Sequence, residues 1–168
     1  KLRAAHGHAE PYHVKHWEVG NELWGRWQVN WTTGAGYADR FKRFAAAMQA
    51  VDPSIKLYAC GAPVQSGKRW NDALIGGAWK VLQATTDHPL VGGSVSLNAD
   101  PLDVFRDFMA VPDMLEKRWA ALAKQMKDAG IREPRLAITE LQMFGGLGRV
   151  TDTAAPVRMT AANLVNPG

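Results

Sequence analysis

Short β-rich segments alternate with longer amphipathic segments along this chain. Residues 12–19 are rich in aromatic and β-branched side chains and end at a Gly-Asn pair, which predicts a strand closed by a turn. Residues 33–50 carry apolar side chains three and four positions apart, which predicts an amphipathic helix. Residues 55–60 again read as a strand. The first third of the sequence therefore predicts a complete β-α-β unit.

The rest of the chain repeats this alternation. We predict helices over residues 71–85, 101–110, 113–129 and 153–164, and strands over residues 88–97 and 135–141. Strands that alternate with helices favour right-handed crossovers and a parallel sheet, so the predicted class is α/β. A doubly wound open sheet fits the length, but the glycine-rich phosphate fingerprint of nucleotide-binding sheets is missing after the first strand. Half of an eight-unit barrel is the alternative.

Composition excludes several classes of protein. The 168 residues are 46% hydrophobic and 21% charged, which is typical of one globular domain and not of a disordered chain. No apolar run approaches the ~18 residues that cross a bilayer, so we predict no membrane partner. The net charge is +4, but the 20 Lys and Arg residues are scattered, and we predict no nucleic-acid partner. The single cysteine, Cys60, makes neither an internal disulfide nor a multi-cysteine zinc site.

Two glutamates follow predicted strands at the positions where parallel α/β folds place their chemistry. Glu22 comes directly after the first strand, and Glu140 lies near the end of the last one. An acidic residue inside the apolar run 136–141 is costly to bury unless it is paired or used. Glycoside hydrolysis needs two such carboxyl groups, one protonated for the leaving oxygen and one ionised beside the anomeric carbon. The pair therefore favours a glycosidase.

The residues around Glu22 also carry a resemblance. The segment PYHVKHWEVGNE at residues 11–22 resembles the acid/base segment of the α-L-arabinofuranosidases of glycoside hydrolase family 51, whose strand ends in Gly-Asn-Glu. The similarity continues through Trp27-Gln28, the helix at 37–50 and residues 51–61. It implies a (β/α)8 barrel, of which this chain would supply roughly strands 4 to 7. It also implies a retaining mechanism, with Glu22 as acid/base and Glu140 as nucleophile.

The second half departs from the family pattern. His88 resembles a histidine that the family carries on its sixth strand, but Pro89-Leu90 replaces the aromatic residue expected after it. The family's usual Asp-Glu-Trp at the nucleophile is here Thr-Glu-Leu, with Thr139 before Glu140. These departures affect the expected substrate specificity more than the expected class of reaction.

Further residues are candidates for binding the sugar. Asn21, next to the acid, would hydrogen-bond the sugar 2-hydroxyl. Trp24 and Trp27, on the loop after the first strand, would rim the mouth and stack on a sugar face. His88 is predicted to contact substrate. Glu18 is predicted to pair with a neighbour inside the site rather than to act as a catalyst. We predict no metal and no cofactor.

These observations predict a retaining glycosidase that releases terminal α-L-arabinofuranosyl residues from plant polysaccharides. Its partner would be an arabinose-containing oligosaccharide or polysaccharide. The alternatives are an endo-glucanase or xylanase of the same clan, or a carbohydrate-binding relative without hydrolytic activity. The sequence begins with Lys1 and not with a methionine. We interpret residues 1–168 as a fragment of one barrel domain that is inactive alone. A homo-oligomeric full-length protein is left open, and a secreted or periplasmic location is favoured over the cytoplasm.

Overall fold

A computed structural model describes residues 2–65, 67–95 and 98–147. The helix predicted over residues 153–164 lies outside the described residues. The elements follow in the order α1 Leu2–Ala5, β1 His16–Val19, α2 Gly34–Val51, β2 Lys56–Ala59, α3 Lys68–Ala78, β3 Ala84–Asp87, β4 Leu90–Val95, α4 Pro101–Met109, α5 Val111–Asp128, β5 Arg135–Ile138 and β6 Gln142–Leu147. None of the described helices has the length and apolar character needed to cross a membrane.

Four strands form a parallel sheet in the order β1-β2-β3-β5. The register pairs Val19 with Ala59, and Asp87 with Ile138. Helices lie in the connections between successive strands of this sheet, as a parallel arrangement requires. The predicted α/β class with a parallel sheet is confirmed. Because all four strands run in one direction, their carboxyl ends lie at one edge of the sheet, and the residues that follow them share that edge.

Helix α2 begins where the sequence predicts. The Thr33 hydroxyl oxygen accepts a hydrogen bond from the Gly36 N–H at 3.2 Å and so caps the exposed N–H groups of α2. The preceding strand is shorter than the predicted residues 12–19, because His13 adopts a left-handed backbone with φ of 52°. An extended ladder does not continue through such a residue, and β1 begins at His16.

The main core lies between one face of the four-stranded sheet and helices α2, α3 and α5. Its most deeply buried side chains include Tyr37, Phe41, Leu74, Leu82 and Met126. The Tyr37 hydroxyl donates to the Val19 carbonyl at 2.6 Å and accepts the Cys60 N–H at 2.6 Å. One phenol therefore ties the end of β1 to the end of β2, directly below the edge where the functional residues emerge.

The predicted boundary between helix and strand within residues 71–97 is wrong. Helix α3 ends at Ala78, and residues 84–87 form strand β3 instead of the end of a helix. All four β3 side chains are buried, so the segment lacks the alternation that marks a half-exposed strand. Pro89 has no N–H for a ladder hydrogen bond. The chain therefore interrupts its pairing there and resumes as β4, which pairs in parallel with β6 in a second sheet.

Candidate active site

Glu22 stands on a tight turn beyond β1. Gly20 has φ of 97° and Glu22 has φ of 46°, so the chain turns away from the strand within three residues. A side chain at Gly20 would place its Cβ 2.6 Å from Leu23 Cδ1. The turn therefore requires glycine at position 20. It leaves the Glu22 side chain 13% exposed, close to the sheet edge.

Glu140 follows β5 after one intervening residue. The Thr139 N–H donates to the Asp87 carbonyl at 3.3 Å, which carries the β3–β5 pairing one step past the strand. Glu140 comes next, with a side chain that is 44% exposed. The sequence prediction that both glutamates stand beyond the carboxyl ends of parallel strands agrees with this placement.

The His88 ring lies between the two glutamates. Its Nδ1 is 3.2 Å from Glu22 Oε1 and 3.5 Å from Glu140 Oε1, and its Nε2 is 2.8 Å from the Thr139 hydroxyl. The ring is 3% exposed. Both ring nitrogens thus contact protein atoms. In this arrangement the ring interacts with the two carboxyl groups and with the Thr139 hydroxyl. A direct contact between His88 and sugar stays a prediction.

Glu18 lies below Glu22, His88 and Glu140, on the face of the sheet opposite the helices. The Thr86 hydroxyl donates to Glu18 Oε1 at 2.7 Å. Burial raises the pKa of the Glu18 carboxyl, and the hydrogen bond from Thr86 opposes that rise. Glu18 has a hydroxyl partner and faces the active-site residues from below, in keeping with the prediction that it supports them.

Asp87 anchors the end of β3 to helix α5. The Trp119 indole N–H donates to Asp87 Oδ2 at 2.6 Å, and the Val64 N–H donates to Oδ1 at 3.2 Å. Burial raises the pKa of this fully enclosed carboxyl, while its hydrogen bonds lower it. Because His88 is the next residue, this anchor fixes the backbone from which the imidazole extends.

The loop after Glu22 carries the tryptophans that the sequence places at the mouth. Trp24 and Trp27 meet edge to face with centroids 5.1 Å apart, and Trp27 is 67% exposed. Asn21 is exposed on the turn. Trp24 is half-buried and packs against the core. The roles of Asn21, Trp24 and Trp27 in binding a sugar stay predictions.

The site was also examined for residues that could bind a metal ion and for a reactive cysteine. Within the described part of the chain, Glu22, His88 and Glu140 are the grouping of side chains that could hold a metal ion, with one donor atom each and all three atoms within 4.8 Å of one another. The predicted absence of a metal is untested. Burial raises the pKa of the Cys60 thiol to about 12, which keeps it protonated and unreactive at neutral pH.

Sequence reasoning missed the contacts among Glu18, Thr86, His88 and Thr139. His88 meets residues 66 positions earlier and 51 positions later in the chain. The available signal was the strand period of two, which puts Glu18 on the face opposite Val19. Because β3 was not predicted, Thr86 could not be placed beside it.

Comparison with known proteins identifies relatives of the N-terminal half. The profile of the Alpha-L-arabinofuranosidase 1 domain matches residues 1–91. Alpha-L-arabinofuranosidase C of Emericella nidulans is 48% identical over 60 residues, which are 36% of this chain and 12% of the fungal protein. Intracellular exo-alpha-(1->5)-L-arabinofuranosidase 1 of Bacillus subtilis is 39% identical over 87 residues, which are 52% of this chain and 17% of the bacterial protein.

Solved structures extend the likeness to most of the chain. The alpha-L-arabinofuranosidase from Thermotoga maritima in its arabinose complex aligns with a TM-score of 0.62 and 27% identity, over 90% of this chain and 29% of that one. A family 51 alpha-L-arabinofuranosidase from Bifidobacterium longum aligns with a TM-score of 0.67 and 23% identity, over 84% of this chain and 30% of that one. The second match supports the fold alone.

These matches cover different shares of the chain, but all of them are to alpha-L-arabinofuranosidases. The chain spans less than a third of the length of the solved relatives, whose catalytic domains are TIM barrels. The domain profile covers more than half of the chain and includes the turn that presents Glu22. The chain belongs to the alpha-L-arabinofuranosidase 1 domain family, within glycoside hydrolase family 51.

Proposed function

We propose that the full-length protein is a retaining α-L-arabinofuranosidase that works by double displacement, with Glu22 as acid/base and Glu140 as nucleophile. The observation that carries this proposal is the approach of their carboxyl oxygens, which lie within 4.8 Å of each other although the residues come from opposite ends of the sheet order. Retaining enzymes hold their two carboxyl groups about 5–5.5 Å apart, and inverting enzymes leave room for a water between them.

The first displacement begins with Glu140, whose more open carboxylate attacks the anomeric carbon of the bound sugar. Glu22 gives its proton to the glycosidic oxygen as the bond to the aglycone breaks. The product is a glycosyl ester on Glu140, with a negative charge left on Glu22. Glu22 then takes a proton from a water molecule that hydrolyses the ester, which regenerates both groups.

Asn21 and the tryptophans would orient the substrate. Asn21, beside the acid, would hydrogen-bond the 2-hydroxyl, a contact that strengthens as the transition state forms. Trp27, 67% exposed on the loop that follows Glu22, offers aromatic surface to a sugar, and the half-buried Trp24 supports it through an edge-to-face contact. We assign the four parallel strands to positions 4 to 7 of a (β/α)8 barrel, whose carboxyl-end loops form such mouths.

The relatives guide the choice of substrate. The Bacillus subtilis relative is an exo-acting enzyme on α-1,5-linked arabinofuranose by its name. We propose terminal α-L-arabinofuranosyl residues of plant polysaccharides as the substrate class of this protein too.

A hydrolysis panel on the full-length protein tests this function. Aryl α-L-arabinofuranoside, β-xyloside and β-glucoside are compared at equal concentration, with release of aryl alcohol as the readout. We expect the arabinofuranoside to be hydrolysed fastest, with the product sugar released first in its original anomeric configuration by NMR. Preferential turnover of the glucoside or xyloside, or saturable sugar binding without any product, would exclude the proposed activity.

A further inference from the structure

Two successive residues after β5 reach the same imidazole ring. The Thr139 hydroxyl lies 2.8 Å from His88 Nε2, and Glu140 Oε1 lies 3.5 Å from His88 Nδ1. Successive side chains of a regular strand point to opposite faces of the sheet. A regular continuation of β5 would therefore bring only one of these two side chains to His88, so the chain departs from strand geometry between them.

The contacts of β3 and β5 show which side chain is redirected. Thr86 lies on the face of Glu18, because its hydroxyl donates to that carboxylate at 2.7 Å, and His88 follows on the same face. Leu136, on β5, packs against the main core on the other face of the sheet. Glu140 comes four positions after Leu136. An unbroken strand would therefore point Glu140 towards the core side and away from His88.

The pairing of the two chain segments breaks at this point and restarts out of step. Asp87 pairs with Ile138 before the break, and Leu90 pairs with Gln142 after it. Between these pairs lie two residues on the β3 side and three on the β5 side. One additional residue on one strand corresponds to a β-bulge, which redirects a side chain. A shift of one residue also exchanges the faces to which the side chains point.

Pro89 explains why the ladder breaks here. The Thr139 N–H donates to the Asp87 carbonyl at 3.3 Å, in the pattern of the β3–β5 ladder. The next bond of a regular parallel ladder would run from the N–H of residue 89 to the Thr139 carbonyl. Proline has no N–H, so this bond cannot form. The next bond runs instead from the Gln142 N–H to the Pro89 carbonyl, at 3.4 Å.

A short turn holds the break on the β3 side. The Leu90 N–H donates to the His88 carbonyl at 2.8 Å, which is the bond of a γ-turn centred on Pro89. The proline ring keeps φ near −65°, close to the φ of about −75° of an inverse γ-turn. The Pro89 side chain is also fully buried. The turn shortens this segment relative to its partner, and packing keeps the turn in place.

We propose that Pro89 is a positioning residue, and that the out-of-step restart it forces turns the Glu140 carboxylate to the His88 side of the sheet, beside Glu22. This inference deepens the proposed function and rests on the role of Glu140 as nucleophile. A nucleophile has to stand in line with the bond that breaks, and a misplacement of ~1 Å can cost about 10²-fold in rate. Pro89 acts through the backbone and does not touch the substrate.

Crystal structures of the full-length parent and of Pro89→Val test the geometry. Valine is close to proline in size and restores an N–H. In the parent we expect the same out-of-step restart after Asp87. In the variant we expect the N–H of residue 89 to donate to the Thr139 carbonyl and the Glu140 carboxylate to leave His88 Nδ1. A parent with an in-step ladder, or a variant in which Glu140 keeps its place, overturns the inference.

Steady-state kinetics of Pro89→Val and Pro89→Ala supply the second test. We expect kcat to fall about 10²-fold with little change of KM, and equally on good and poor leaving groups, because both need the nucleophile. Pro53→Val is the matched control, since Pro53 is exposed in the turn before β2, at the opposite edge of the sheet. The control should keep the parent kcat.

Melting curves show which variants are folded. An unchanged kcat in a folded Pro89 variant, or a loss confined to poor leaving groups, overturns the role of Pro89. Failure of the proposed function gives a different pattern. In that case the parent does not hydrolyse arabinofuranosides, while the crystal structures still decide whether Pro89 sets the place of Glu140.

Discussion

The two glutamates of the site have contrasting surroundings. Glu22 sits on a left-handed turn, 13% exposed, with the His88 ring 3.2 Å away. Glu140 extends from the end of a strand, 44% exposed, with the same ring 3.5 Å away. The chain thus uses a strained turn and burial for one carboxyl and an open strand end for the other. Different protonation at one pH requires different environments, and the contrast supports the assignment of an acid and a nucleophile.

Replacement of Glu140, the more exposed of the two glutamates, should have the largest effect on activity. Glu140→Ala in the full-length protein removes the proposed nucleophile, and we expect kcat to fall about 10⁴-fold or more. Azide should restore turnover by filling the vacated position, and the product should be a glycosyl azide of inverted anomeric configuration, identified by NMR. A glycosyl azide of retained configuration would instead assign the missing carboxyl to the acid/base role.

Replacement of the enclosed carboxyl should depend on the leaving group. Glu22→Ala should lower kcat/KM by ~10²–10⁴ on substrates with poor leaving groups, because these need a proton from the enzyme. Aryl substrates whose leaving group is a strong acid should be cleaved with much smaller loss in the first step. Steady-state rates over a series of aryl leaving groups provide the measurement. Equal losses across the series would remove Glu22 from the acid role.

The importance of the turn that presents Glu22 can be tested by replacing Gly20. Gly20→Ala forces a Cβ into a backbone with φ of 97° and within 2.6 Å of Leu23, so we expect about 1–3 kcal/mol of destabilisation and weaker acid function. Gly76→Ala is the matched control, because its added Cβ meets nothing within 4 Å on an exposed part of α3. The control should leave the free energy of unfolding unchanged or raise it by up to ~1 kcal/mol. Denaturant titrations compare the two, and equal effects would contradict a special role for the turn.

The smallest expected effect concerns Glu18. Its pKa is raised by burial, so its contribution to stability is full at low pH and is lost as pH rises through the folded-state pKa. Glu18→Gln stays neutral at every pH and should raise Tm by about 1–2 °C at pH 7–8, with the difference closing towards pH 4. Melting curves over this range test the sign. A variant less stable than the parent at neutral pH would contradict it.

The sequence was informative about the ends of strands and less so about their neighbours. Strand β1 and the turn to Glu22 carry local signals, namely β-rich residues followed by glycine, and the prediction is right for the turn and for the end of the strand at Val19 but starts the strand four residues too early. Strand β3 carries no such signal, because its residues ATTD are buried on both faces and follow a helix without a turn motif. The place of His88 depends on three distant segments packing together, and no local pattern encodes that meeting.

The order of strands has a consequence for synthesis on the ribosome. Each strand of the main sheet pairs with the strand that precedes it in that sheet, so each new βα unit docks on structure that has already emerged. Contacts between successive units form with shorter loops than a sheet with shuffled strands would need, and domains fold from the N-terminus as they are made. The turn with Glu22 is translated first, the strand before His88 later, and Glu140 last. A nascent chain thus acquires the proposed acid before the proposed nucleophile, and the two glutamates come together only when β5 joins the sheet.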